Sequence, residues 1–231
     1  MSSKREKPTI KRKSTPFWDK APIKPKNAKQ KSYINAIRNH WITLGTGYPG
    51  TGKSYIAAAL AAEMLEDPRC PIERIVICRP NEGVGKSIGM LKGGLNEKMI
   101  PWCAPILDVL KDKLGESTVE YFLEREKIEL LPLEYARGKS YDNTFIILDE
   151  AQNVDKESLK CLMLRMGRDS KLVIDGDVGQ CDIGEASGLA QLIQLTADYE
   201  TPIAHVDFDI EDIVRSDMCK FLVGLFVVAN F

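Results

Sequence analysis

The sequence lacks the cysteine pattern of a zinc-binding or disulfide-stapled protein. Its six cysteines form no C-x-x-C pair, and neither of its two histidines lies at a zinc-finger spacing from them. We therefore expect free thiols in a reducing compartment and no metal cage built from these residues.

A long apolar segment is also missing. No apolar stretch precedes Trp41, so we expect no secretory signal, and the most apolar run, Phe221 to Phe231, is too short to span a bilayer. These features favour a cytoplasmic protein without a membrane partner. We predict that the terminal apolar run is a buried helix.

Charge is unevenly distributed, although the 231-residue chain has a formal net charge of -1. Residues 1–31 hold eleven Lys and Arg against two acidic residues, a charge of +9, whereas residues 32–231 carry -10. Residues 1–25 are also rich in Lys, Pro, Ser and Thr, which predicts a disordered basic tail. Clustered positive charge attracts phosphate backbones, so the tail indicates RNA or single-stranded DNA as a partner. The alternative is a solvated terminus that binds nothing.

Residues 26–231 have the size of a single domain, and they alternate between strand and helix patterns. Apolar, β-branched runs predict strands at Trp41–Leu44, Arg74–Cys78, Ile128–Leu131, Thr144–Leu148, Lys171–Asp175 and Ile203–Val206. Helices are predicted at Lys29–Asn39, Ser54–Glu66, Lys156–Met166 and Ser187–Thr196 and from Ile213 onward, with a glycine-rich loop followed by helices at 83–120. This alternation predicts an α/β fold, with a mainly parallel sheet of about five or more strands and helices on both faces.

One segment matches a phosphate-binding loop. Residues 47–54 fit G-x-x-x-x-G-K-[ST] between a predicted strand and a predicted helix. In such a loop the backbone N–H groups surround phosphates, Lys53 reaches the β and γ phosphates, and Ser54 binds Mg²⁺. The predicted site for ATP and Mg²⁺ comprises Gly47, Tyr48, Pro49, Gly50, Thr51, Gly52, Lys53, Ser54 and Tyr55.

Polar residues end two further strands. Asp149 and Glu150 follow an apolar run, where Asp149 would hold Mg²⁺ and Glu150 would act as general base toward the attacking water. A P-loop kinase would not need that glutamate, so it favours hydrolysis, and a solvated acidic pair is the alternative. The string Asp-Gly-Asp-Val-Gly-Gln at 175–180 places the amide of Gln180 where it could contact the γ-phosphate.

Taken together, these strings resemble the PhoH family of ATPases and, less closely, superfamily-one helicases. The resemblance runs from about Lys26 to Ala229 and rests on the P-loop and on, in order, Cys78-Arg79-Pro80, Leu95-Asn96-Glu97-Lys98, Arg137-Gly138-Lys139, Ile147 to Asn153, Arg165-Met166-Gly167, Gly176 to Gln180, Ser187-Gly188-Leu189 and Asp212 to Arg215. It implies a RecA-like P-loop core. It also implies that Gln30 reads adenine, that Arg79 binds nucleotide, that Gln180 senses the γ-phosphate and that Arg215 is an arginine finger.

The resemblance further implies an ATPase that acts on RNA or single-stranded DNA and assembles into a ring, such as a hexamer. A superfamily-one helicase closes its site between two such domains, whereas this chain has room for one. Either a neighbour supplies the other half and carries an arginine in trans to the γ-phosphate, or the site stays open and slow. A nucleotide-switched ATPase that acts on a protein partner without nucleic acid is the alternative function.

Overall fold

The computed structural model describes residues 22–80 and 95–229, apart from the side chains of residues 95–98. Its six strands form one parallel sheet in the order β3-β2-β4-β5-β1-β6. The strands are β1 (Ile42–Gly47), β2 (Arg74–Arg79), β3 (Ile128–Pro132), β4 (Thr144–Leu148), β5 (Lys171–Gly176) and β6 (Ile203–Phe208). The predicted α/β fold with a parallel sheet is confirmed.

The helices cover both faces of the sheet. They are α1 (Ala28–Asn39), α2 (Lys53–Glu66), α3 (Leu95–Leu114), α4 (Glu116–Glu124), α5 (Lys156–Met163), α6 (Gly188–Asp198) and α7 (Asp217–Ala229). One buried apolar cluster joins α1, α2, α3 and α4 to the sheet, and a second joins α5 and α6 to its opposite face. Because both faces are packed, the inner strands β2, β4 and β5 carry apolar residues at consecutive positions rather than at alternating ones.

The terminal helix departs from the prediction. It begins at Asp217 rather than at Ile213, because residues 210–212 form a separate 3₁₀ turn closed by a capping box between Asp209 and Asp212. None of its residues is buried, and Phe221 and Val228 are 64% and 87% exposed. The prediction of a buried terminal helix is therefore wrong. The helix follows β6, which is an edge strand of the sheet that the described residues form.

Two predicted segments fall partly outside the described residues. These are the basic tail up to residue 21 and the glycine-rich loop up to residue 94. Within the described part, the backbone N–H of Ile23 donates to Glu63 Oε1 at 2.9 Å, and the Ile23 side chain packs against the core. The packed body therefore includes Ile23, ahead of α1. None of the described helices is long and apolar enough to cross a membrane.

The strand order determines where a site forms. The chain runs from β1 through α2 to β2, returns through β4 and β5 to the neighbourhood of β1, and then places β6 on the other side of β1. The carboxyl ends of β1, β4 and β5 are therefore neighbours at the point where the order reverses. Ligands of open parallel sheets bind in the crevice at such a point.

Candidate nucleotide-binding site

A cleft of about 900 Å³ lies at the carboxyl edge of the sheet, beside the P-loop at residues 47–54. Gly47 begins this loop with φ +107°, and a Cβ atom there would lie 1.9 Å from the carbonyl oxygen of Phe208. Only glycine therefore lets β1 turn into the loop so close to the end of β6. Gly52, within the loop, is the N-cap of α2, and no side chain caps this helix. The first N–H groups of α2 are thus available to an anion.

Lys53 is folded back onto the loop that carries it. Its Nζ donates to the carbonyl oxygens of Gly47 at 2.6 Å and Tyr48 at 2.9 Å. Burial lowers the pKa of the Lys53 ammonium, while the carboxylates of Asp175 and Asp177 act in the opposite direction. A phosphate group would give this buried ammonium the close anionic partner that carbonyl oxygens only partly replace.

Ser54 and Asp149 form an oxygen pair suited to Mg²⁺. The Ser54 hydroxyl donates to Asp149 Oδ1 at 2.9 Å, which places one residue from the start of α2 against one from the end of β4. Burial raises the pKa of Asp149, and the nearby Arg79 guanidinium opposes that shift. Mg²⁺ bound to nucleotides takes few protein ligands and completes its shell with phosphate oxygens and water. The hydroxyl and the buried carboxylate fit such an ion.

Both oxygens of the Glu150 carboxylate have partners. Arg79 Nη2 lies 3.1 Å from Oε1, and the Gln152 amide nitrogen donates to Oε2 at 2.8 Å. Glu150 also adopts a left-handed backbone conformation, with φ 57° and ψ 39°, which is costly for a residue with a side chain. This conformation turns the chain sharply after Asp149 and leaves the Glu150 side chain 39% exposed at the cleft.

Arg79 lies behind the two acidic residues instead of lining the cleft. Its Nε is 3.6 Å from Asp149 Oδ2, and its guanidinium also donates to the carbonyl oxygen of Trp102 in α3. In this conformation Arg79 organises the carboxylates, whereas the resemblance implies a direct contact with nucleotide.

A buried Tyr–Asp pair lies beneath the P-loop. The Tyr33 hydroxyl donates to Asp175 Oδ1, and Asp175 Oδ2 has no hydrogen-bond partner among the described residues. Burial raises the pKa of Asp175 to about 7, and it raises the pKa of Tyr33 as well. Sequence reasoning assigned no role to either residue. The available signal was a carboxylate inside the otherwise apolar β5 strand.

Gln30 supports the P-loop from below. The residue is 4% exposed, its amide nitrogen donates to the Thr51 carbonyl at 2.8 Å, and its amide oxygen accepts from the Lys26 N–H at 2.8 Å. It also contributes to the lining of the cleft. As placed, its amide joins the segment before α1 to the loop and uses one of its two N–H donors and one of its two oxygen lone pairs.

Two more predicted residues lie at the rim of the cleft. Gln180 lines it and donates from its amide nitrogen to Asp177 Oδ2 at 2.7 Å. Arg215 lines it too, because the N–H of the preceding Val214 donates to the Gly50 carbonyl at 3.0 Å and ties this segment to the P-loop. Arg215 therefore faces the site of its own chain.

The structure brings most of the predicted site residues into one cleft, namely Gln30, Pro49, Gly50, Gly52, Lys53, Ser54, Tyr55, Asp149, Glu150, Gln180 and Arg215. Three predicted residues, Gly47, Tyr48 and Thr51, belong to the loop but do not line the cleft. Arg79 contacts Asp149 and Glu150 and does not line the cleft either. Gln152 is a contact that sequence reasoning missed, although it stands in the Asp-Glu-Ala-Gln string.

Comparison with known proteins identifies relatives along most of the chain. Residues 22–226 match the family described as PhoH-like protein. Protein PhoH of Escherichia coli K12 is 37% identical over 206 residues, which cover 87% of this chain and 57% of that protein. The PhoH-like protein of Bacillus subtilis is 37% identical over 210 residues, covering 90% and 65%. The chain thus spans about three fifths of the length of these relatives.

A solved structure supports the fold independently. The crystal structure of the HK97 bacteriophage large terminase aligns with a TM-score of 0.51 and 13% sequence identity, over 80% of this chain and 39% of that one. At this identity the likeness concerns the fold alone. It agrees with the parallel α/β sheet described above.

Proposed function

Because this chain belongs to the PhoH-like protein family, we propose that it is a Mg²⁺-dependent ATP hydrolase. The observation that carries the proposal is the meeting of three strand ends around one cleft. The P-loop with Lys53 and Ser54 faces Asp149 and Glu150 there, with Ser54 and Asp149 in direct hydrogen-bond contact. This arrangement suits phosphoanhydride hydrolysis, because one cleft then offers groups for charge stabilisation, Lys53 and Ser54, and for water activation, Glu150.

In the proposed mechanism, the N–H groups at the start of α2 bind the phosphates, and Lys53 leaves its carbonyl partners for the β and γ phosphates. Ser54 and Asp149 would hold Mg²⁺, which neutralises phosphate charge when bound. Glu150 orients the attacking water and takes its proton. Gln180 contacts the γ-phosphate, and Arg215 of the same chain stabilises the negative charge that develops during transfer.

Glu150→Gln tests the hydrolytic step. The variant should bind ATP yet release phosphate at least about a hundredfold more slowly, because the amide cannot accept the proton. Glu157→Gln, at an exposed position in the first turn of α5, is the matched control and should retain the wild-type rate. Wild-type turnover by Glu150→Gln would remove this residue from the catalytic role.

We further propose that hydrolysis is coupled to RNA or single-stranded DNA. The support is the +9 charge of residues 1–31, with Phe17 and Trp18 among them as groups able to stack on unpaired bases. ATPase assays with and without RNA test this coupling. A higher rate with RNA supports it, and an unchanged rate favours the nucleotide-switched ATPase that acts on a protein partner.

A truncated protein tests the basic tail. Removing residues 1–21, which spares the packed Ile23, should weaken RNA binding and flatten its salt dependence while leaving basal hydrolysis intact.

Assembly into a ring, such as a hexamer, is also part of this proposal. Its support is the exposed apolar surface of α7, which begins just after Arg215, in the segment whose Val214 N–H donates to the Gly50 carbonyl of the P-loop. Exposed apolar patches of this kind mark contact surfaces. Light scattering with and without ATP tests the assembly, and a protein that stays monomeric at all concentrations would contradict it.

A further inference from the structure

The side chain of Gln152 joins the ends of two neighbouring strands. Its amide nitrogen donates to Glu150 Oε2 at 2.8 Å, beyond the end of β4, and its amide oxygen accepts from the N–H of Asp177 at 3.1 Å, beyond the end of β5. The residue is 2% exposed and does not line the cleft. It therefore touches the proposed base without reaching the nucleotide.

The backbone of β5 leaves room for this amide. A Cβ atom at Gly176 would lie 2.9 Å from Gln152 Oε1 and 3.1 Å from the Gln152 backbone nitrogen. A side chain at position 176 would thus press on both the amide and the main chain that carries it. Glycine at this position therefore leaves space for the Gln152 amide and its two hydrogen bonds, which we call the Gln152 bridge.

Hydrogen bonds continue from the bridge to the rim of the cleft. The carboxylate of Asp177, whose N–H binds Gln152, accepts from the Gln180 amide at 2.7 Å. Gln180 is the residue proposed to contact the γ-phosphate, and Glu150 is the proposed base. A movement of the 177–180 turn would therefore reach the Glu150 carboxylate through one buried amide.

We propose that Gln152 is a positioning residue that sets the orientation of the Glu150 carboxylate according to where the 177–180 turn lies. This inference rests on the proposed role of Glu150 as general base. Arg79 holds the other carboxylate oxygen through an ion pair that it shares with Asp149. Gln152 thus provides the neutral, directional contact that links the base to the turn, while Arg79 provides the charged one.

An amide suits this position because it offers a donor and an acceptor on one planar group. Glutamate would keep the acceptor for Asp177 but would place a second carboxylate against Glu150. Methionine would keep the approximate volume and remove both bonds, which leaves the partly buried N–H of Asp177 without this acceptor. Gln152→Glu and Gln152→Met therefore disturb the bridge in two different ways.

The test is steady-state ATP hydrolysis by the full chain. Both variants should lower kcat by about 10-fold to 100-fold, because a misplaced base loses its alignment with the water, while KM for ATP stays within about twofold. In a Glu150→Gln background, adding Gln152→Met should change kcat by less than about twofold, since a residue that acts through Glu150 has nothing left to orient. If Gln152→Met does not fold, as judged by circular dichroism, Gln152→Glu carries the same comparison.

Asn153→Ala is the matched control. Asn153 joins the same two loops through its side chain, which accepts from the Asp182 N–H at 2.9 Å and donates to the Asp182 carboxylate at 3.2 Å. Neither of these side-chain bonds involves Glu150. Its loss should leave kcat within about twofold of wild type. An equal fall in kcat for Asn153→Ala, or an undiminished effect of Gln152→Met in the Glu150→Gln background, would overturn the proposal.

The two proposals fail in different ways. If Glu150→Gln hydrolyses ATP at the wild-type rate, Glu150 is not the general base, and the inference about Gln152 fails with that role. A slow Glu150→Gln protein together with full-rate Gln152 variants would remove only the inference.

Discussion

Two apolar helices flank the P-loop, and they meet opposite environments. Helix α2 starts at Lys53 and buries seven consecutive residues, 56–62, between the sheet and its neighbouring helices. Helix α7 is equally apolar after Lys220, yet it buries none of its residues. Apolar composition predicts that a helix packs against other residues. Whether it packs within the same chain depends on the order of the strands and helices. Here α2 crosses over the middle of the sheet, whereas α7 follows its edge strand.

The largest expected difference between the two helices is in ATP turnover, when one lysine in each is replaced. Lys53→Ala should lower ATP turnover by at least about a hundredfold, because the ammonium proposed to bind the β and γ phosphates is lost. Lys220→Ala in α7 removes only a surface ion pair to Glu211 and should keep turnover within about twofold. Phosphate release measured for both proteins tests the contrast, and comparable losses would break it.

Leucines in the two helices should differ in their contribution to stability. Leu60→Ala removes a fully buried side chain from α2 and should lower the free energy of unfolding by about 2–5 kcal/mol. Leu225→Ala in α7 starts from a side chain that is 47% exposed and should cost less than about 1 kcal/mol. Urea denaturation at low protein concentration measures both, and equal losses would show that α7 is covered within the monomer.

The buried carboxylate of Asp175 should make the free energy of unfolding depend on pH. Burial raises the pKa of Asp175 to about 7, against about 3.9 in an unfolded chain, so the folded protein disfavours the ionised carboxylate. This group therefore contributes stability at acid pH that is lost as the pH rises from about 4 through 7. Relative to wild type, Asp175→Asn should gain about 4 kcal/mol in free energy of unfolding between pH 4 and pH 8, because each pKa unit corresponds to about 1.4 kcal/mol. Urea denaturation across this range measures the difference, and a constant difference would contradict the burial argument.

The smallest effect on unfolding should come from polar substitutions in α7. Phe221→Ser with Val228→Ser should change the free energy of unfolding by less than about 0.5 kcal/mol, because both side chains already face solvent. The same variant should lower the mass of any self-associated form in light scattering. Tyr199→Ser, at an exposed aromatic after α6, is the control. An unchanged mass for the α7 variant would separate this helix from assembly.

Local patterns predicted most of the fold. The apolar runs at β2, β3, β4 and β5 correspond to strands within one or two residues, because a strand covered on both faces must be apolar along its length. Boundaries that depend on turns were less accurate. The helix predicted to Met166 ends at Met163, because Leu164 to Met166 already turn toward the Tyr141 segment, where the N–H of Tyr141 donates to the Arg165 carbonyl.

The residues of the candidate site likewise fall into those that local motifs predicted and those that they did not. Lys53, Ser54, Asp149 and Glu150 were predictable because their motifs lie at strand ends, where chemistry and backbone geometry are fixed by a few adjacent residues. Gln152 and the Tyr33–Asp175 pair were not. Their partners lie 25 and 142 positions away in sequence, and only the packing of β4, β5 and α1 brings them together.

The sequence by itself determined the P-loop motif, the carboxylates at the strand ends and the parallel sheet, since each of these follows from short-range patterns of glycine, acidic and apolar residues. The tertiary structure decided which side chains hold those groups in place and which apolar helix is left uncovered. That division has a physical cause. Backbone conformation and periodic burial are local properties of a chain, whereas the partner of a buried amide, carboxylate or helix face depends on the order in which the strands assemble.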